Sequence, residues 1–154
     1  MPNSNFVQGT QLRTLNLGRK VDQPAKTVPQ NALSALFTVS GGRVIVTGIV
    51  GEVTTVIGGT TPSAKLVANP TTGADSDVTT AVAITGDAVG NLYGVSTVGG
   101  ALAVLESVAP IPQEPFVLKA GTLDLHVSAA DATGAIKWSL FYVPLDDGAS
   151  VTAA

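Results

Sequence analysis

From Leu36 to Val143 the chain is a succession of short Val-, Ile-, Thr- and Ala-rich runs punctuated by glycine, with almost no helical period. The clearest alternation comes near the end. Leu123, Leu125 and Val127 share one face against Asp124, His126 and Ser128, and Ile136, Trp138, Leu140 and Tyr142 share one face against Lys137, Ser139, Phe141 and Val143. The turn Asp131-Ala132-Thr133-Gly134 between these runs predicts a hairpin. A second hairpin is predicted where Leu36–Ser40 meets Gly41-Gly42.

The longest run, Arg43 to Ile57, is apolar at both parities. Ile45, Ile49, Val53 and Ile57 fall on one face; Val44, Val46, Val50 and Val56 fall on the other. Such a strand is expected to be buried on both sides, with Gly48 and Gly51 letting it bend or bulge. Further strands are expected at 65–68, 78–84, 92–97, 102–108 and 116–118, separated by glycine pairs and by the proline-rich connector 110–115. About eight or nine short strands in one domain (32–145) predict an all-β fold: a sandwich or jelly roll, or a small barrel.

The flanks read differently. Residues 1–31 lack regular periodicity, and Pro2, Pro24 and Pro29 favour extended backbone, so an extended N-terminal arm is expected. Its apolar residues are spaced as if to lie on another surface. After Pro144 a small-residue tail, 146–154, is expected.

Composition sharpens this picture. Of the 154 residues 45% are hydrophobic and only 12% charged, about half the usual charged share. Oligomer interfaces, depleted in charge at their cores, would cover so apolar a surface. Charge is also unevenly placed. Residues 1–26 hold Arg13, Arg19, Lys20 and Lys26 against Asp22, a net of +3, whereas 27–154 carry a net of −6. A basic leader on an acidic body suits an acidic protein surface, or is simply a solvated tail. Four cations without aromatic interleaving are a poor nucleic-acid footprint, so nucleic acid is not expected as a partner. No signal peptide is visible, and Val44–Ile57 is broken by Gly48, Gly51 and Glu52, so no membrane association is expected.

Candidate chemistry is sparse. There is no cysteine, one histidine and one tryptophan. Asp124, His126 and Ser128 name a triad, but residues two apart on a strand stand in a row about 7 Å apart, beyond the reach a nucleophile–base pair needs. Asp75-Ser76-Asp77 and Asp146-Asp147-Gly148 are acidic turns that do not follow a calcium-loop order. The glycine pairs lack the strand–loop–helix setting of a phosphate site. No catalytic residue, metal or cofactor is expected. Trp138 is in register with core residues, while Phe141 lies on the polar face as a candidate subunit contact, with Val50 as a second.

Two stretches, 36–44 running into Gly51-Glu52-Val53-Thr54-Thr55, and Gly134-Ala135-Ile136-Lys137-Trp138 through Tyr142 to Ala149, resemble small structural proteins of tailed bacteriophages that decorate or cement the capsid. The resemblance covers about a third of the chain. It implies a β-rich knob, usually a homotrimer, seated on the outer capsid surface of the virion after synthesis in the host cytoplasm, with the major capsid protein as partner. It also implies lateral contacts from the N-terminal segment. Phe6, Leu12, Leu15 and Leu17 are then expected as capsid-binding anchors, with Arg13, Arg19 and Lys20 as rim charges. Two other classes compete. A tail or head-spike component binding a host glycan would need an exposed aromatic cluster, and a hydrolase would need convergent carboxylates.

Overall fold

The computed structural model describes residues 8–111 and 114–154. Twelve strands and one helix follow in order: α1 (Gly9–Leu17), β1 (Arg19–Thr27), β2 (Ala32–Ser40), β3 (Val44–Gly58), β4 (Ser63–Pro70), β5 (Ser76–Asp77), β6 (Val82–Ala83), β7 (Leu92–Gly94), β8 (Ala103–Leu105), β9 (Phe116–Leu118), β10 (Gly121–Val127), β11 (Thr133–Pro144) and β12 (Ser150–Ala153). The strands form two antiparallel six-stranded sheets. Sheet A has the order β1-β11-β3-β7-β8, with β9 also on β3; sheet B has the order β12-β2-β10-β4-β5, with β6 also on β4. The all-β expectation holds, as a sandwich richer in short strands than the sequence pattern suggested.

Neither predicted hairpin forms. β2 lies in sheet B and β3 in sheet A, so Gly41-Gly42 is a corner between sheets; β10 and β11 are likewise split by the turn at 131–134. The alternating apolar faces of β10 and β11 meet across the core instead of lying edge to edge. Leu123, Leu125 and Val127 from one side and Ile136, Trp138, Leu140 and Tyr142 from the other are all at most 5% exposed.

Nor is β3 buried on both faces. Its pairing with β11 slips by one residue at Thr47, between Phe141↔Gly48 and Tyr142↔Val46, and again near Thr54. A bulge of one residue reverses the parity of a strand. Val44 and Val46 therefore point inward before the slip and Ile49 and Val53 after it, while Ile45 and Val50 are only partly buried and Val56 is exposed. Gly51 serves packing: a Cβ there would lie 2.8–2.9 Å from the Trp138 ring. That indole packs in the core against Tyr93, with ring centroids 6.1 Å apart and planes tilted by 60°. The Tyr93 hydroxyl donates to Asp87 Oδ2. Burial first, then that carboxylate, pushes the phenol pKa up and keeps it a donor.

The N-terminal segment departs most from expectation. The backbone at 9–17 is helical, closed by Gly18 N–H donating to Thr14 O. Residues 19–27 are extended, but they form β1, hydrogen-bonded to β11 from Arg19↔Tyr142 to Thr27↔Ala135. The tail likewise contributes β12, paired with β2 from Ser150↔Ser40 to Ala153↔Phe37. The two flanks meet where Ala154 N–H donates to Gln23 Oε1.

Candidate functional site

The two outer faces of the sandwich differ in chemistry. Along sheet B, register places Thr38, Thr122 and Asn69 in one row, Ala35, Asp124, Val67 and Asp77 in the next, and Leu33, His126 and Lys65 in a third. That face is mostly polar, and Lys65 pairs with Asp77 at 2.8 Å.

Along sheet A the corresponding rows are apolar at one end. Val143, Ile45 and Val117 sit side by side across β11, β3 and β9. Phe141 lies opposite Gly48, where the missing side chain leaves room for the Phe141 ring and for Ile111 from the proline-rich connector. Val50 lies one row further, facing Ser139 and Gly94, with Pro110 closing over Gly94. Val143, Val117 and Ile111 are 40%, 52% and 48% exposed, large values for aliphatic side chains, the first two flanking Ile45 and the third beside Phe141 over Gly48. At the other end the face turns ionic. Lys137 pairs with Glu52 at 2.9 Å and Lys20 with Asp22 at 2.8 Å. An open groove of about 440 Å³ runs there beside Pro24 and Ser139. The Lys20 ammonium first, and then the Ser139 hydroxyl, holds the Asp22 carboxyl below its usual range. These charges satisfy one another across the groove.

Helix α1 stands at the edge of the apolar end. The Thr47 hydroxyl donates to Leu17 O, and Gly18, at φ 80°, packs so closely on Tyr142 that a Cβ would strike the Tyr142 carbonyl. No residue of α1 is buried; Leu12 is 49% and Leu15 76% exposed. Only Leu17, at the helix end, is partly covered.

The expected contact residues are thus distributed over two neighbouring elements and one face. Leu12, Arg13 and Leu15 project from α1, Arg19 and Lys20 are exposed on β1, and Phe141 and Val50 share the outer face of sheet A. Phe6 lies outside the described residues. Sequence periodicity missed Ile45, Val117, Ile111 and Val143 as members of this surface. The parity slip at Thr47 and the crossing of the connector bring them together, and neither has a signal in the local pattern.

The other candidates fall into structural roles. Asp124 stands on the outer parity of β10 but is buried there, not solvated; Asn69 Nδ2 donates to its Oδ2 at 3.2 Å, while its Oδ1 has no partner among the described residues. Ser128 bonds with Ser63, so the three-residue row does not converge. Asp146 accepts from the Arg43 backbone and side chain, and the guanidinium pulls its pKa down to about 2. Among the described residues no three His, Asp or Glu side chains gather as a metal site. In comparisons with known proteins, no family model, curated protein or solved structure matches this chain.

Proposed function

We propose that this chain is a structural virion component, a decoration protein that sits on the outer surface of a bacteriophage head as a homotrimer and cements neighbouring copies of the major capsid protein. One observation carries the reading. The sandwich has a mostly polar outer face on sheet B and one that is apolar at one end on sheet A, and the apolar end adjoins a helix whose Leu12 and Leu15 are uncovered. A contiguous exposed apolar patch with a polar border is the form of a protein-binding surface. The resemblance of residues 36–55 and 134–149 to decoration proteins points the same way. Phe141 and Val50 supply apolar contacts between copies, Leu12 and Leu15 of α1 supply apolar anchors for a neighbouring protein, and Arg19, exposed on β1, supplies charge toward an acidic lattice. Many such weak, symmetric contacts hold a shell together by avidity. The role needs no catalytic group, cofactor, nucleic acid or membrane. A glycan-binding tail component draws less support, because Phe37, Tyr93, Trp138 and Tyr142 are consumed by the core.

The test is co-sedimentation of the purified protein with mature capsids assembled without it. Saturable binding over the whole lattice, weakened by Arg19→Glu, is the expected result. Failure of the intact protein to bind any such capsid would overturn the decoration role.

A further inference from the structure

We infer that α1 of one copy packs onto the apolar outer face of sheet A of a second copy, so that the molecules join head to tail by exchanging their N-terminal helices. The inference deepens the decoration reading and rests on its premise that copies associate, but it commits to a particular donor and a particular acceptor.

The donor is a helix without a core. A nine-residue helix is marginal in water on its own, and α1 buries nothing within its own chain while holding Leu12 and Leu15, one turn apart, in solvent. Two apolar side chains at this spacing form one stripe, the arrangement by which a short helix enters an apolar groove. The acceptor is the shelf formed by Val143, Ile45 and Val117, bounded by Phe141 and Ile111.

The tether explains why the acceptor belongs to another copy. Thr47 holds Leu17 O at the rim of the shelf, and Gly18 is pressed on the Tyr142 backbone in a conformation only glycine adopts readily. With both anchors in place, α1 is directed off its own shelf; folding back would break the hydrogen bond and change the backbone at Gly18. A neighbour's helix meets no such restriction.

Charge complements the fit. Arg13 is the sole charged side chain of α1, and Glu106 and Glu114 flank the connector that carries Ile111 over the shelf. Neither glutamate makes an ion pair with a described residue. Donor and acceptor are different surfaces, so the contact is heterologous, and repetition closes into a ring when the rotation permits.

Two variants of the full chain test this by complementation. The first, Leu12→Gln with Leu15→Gln, disables the donor. The second, Ile111→Gln with Val117→Gln, disables the acceptor. All four side chains are at least 48% exposed and none belongs to the core, so both variants should keep the wild-type circular dichroism and unfolding midpoint. Light scattering after size exclusion is expected to show a wild-type oligomer and two variants whose self-association is weakened at least about tenfold. Mixing the variants should restore a one-to-one pair, since the intact helix of the second meets the intact shelf of the first. A monomeric wild type at every concentration, variants that remain oligomeric, or a mixture that stays dissociated would each overturn helix exchange. Capsid binding is read separately. A wild-type ring that ignores capsids defeats the decoration role alone, and a monomer that coats them defeats helix exchange and the trimer while leaving capsid decoration standing.

Discussion

At the scale of single residues, the molecule is set by close fits that composition does not reveal. Gly51 is the sharpest: it faces the only tryptophan, and any side chain there intrudes on the indole. Gly51→Ala should therefore cost about 1–3 kcal/mol, the usual range for over-packing a filled core. The fall in the urea midpoint measures it, and a change in Trp138 emission locates it. Arg43 and Asp146 make a second such fit, joining the start of β3 to the turn before β12. Folding lowers the Asp146 carboxyl from its ordinary value of about 3.9 to about 2. A depressed folded pKa means a contribution fully present above about pH 4 and lost as the pH falls toward 2. Asp146→Asn should then be less stable than wild type at neutral pH, with the difference shrinking between about pH 4 and pH 2. Denaturant titrations of both proteins across that range measure it; a difference that does not change with pH would contradict the assignment.

At the scale of elements, β1 shows how an expected appendage becomes framework. Pro24 and the uneven charge of the first 26 residues read as an arm, yet Val28 just beyond β1 is 2% exposed and Gln23 is buried beneath the C-terminus. The proline is tolerated because β1 is an edge strand whose pairing with β11 is interrupted between Gln23 and Lys26. That interruption, together with the charged side chains, also discourages unwanted strand addition at this edge. Lys26 reaches over to Ala35 O and occupies part of the neighbouring edge of sheet B. Removing residues 1–17 should leave a cooperatively folding domain, whereas removing 1–27 strips β11 of its partner and should abolish the cooperative transition. Thermal unfolding followed by circular dichroism separates the two; equal stability of both truncations would return β1 to the status of an arm.

At the scale of the whole molecule, the difference between the two outer faces is the feature on which the proposed role rests, and the complementation and capsid-binding experiments belong to it. How far it was legible follows from the physics of strands. Alternation along β10 and β11 named the inward residues correctly, because side chains project with a period of two whatever the strand pairs with. Phe141 was recognisable as an apolar residue on a polar face on the same ground, whereas Val50 stood on a run apolar at both parities and only the parity slip of β3 puts it outside. β2 and β3, and β10 and β11, are adjacent in sequence but lie in opposite sheets, and nothing local distinguishes a hairpin from a corner. The helix at 9–17 was equally hidden, since Leu12, Leu15 and Leu17 in nine residues are too few to set up a helical period. The sequence by itself thus determined that the chain is all-β and which positions of its most regular strands are core, because these depend on residue type and short-range period. Which sheet each strand joins, where β3 changes parity, and hence which apolar side chains remain outside as one surface, were decided only by the tertiary structure. They follow from pairings between residues as far apart as Arg19 and Tyr142, whose register is a property of the packed whole.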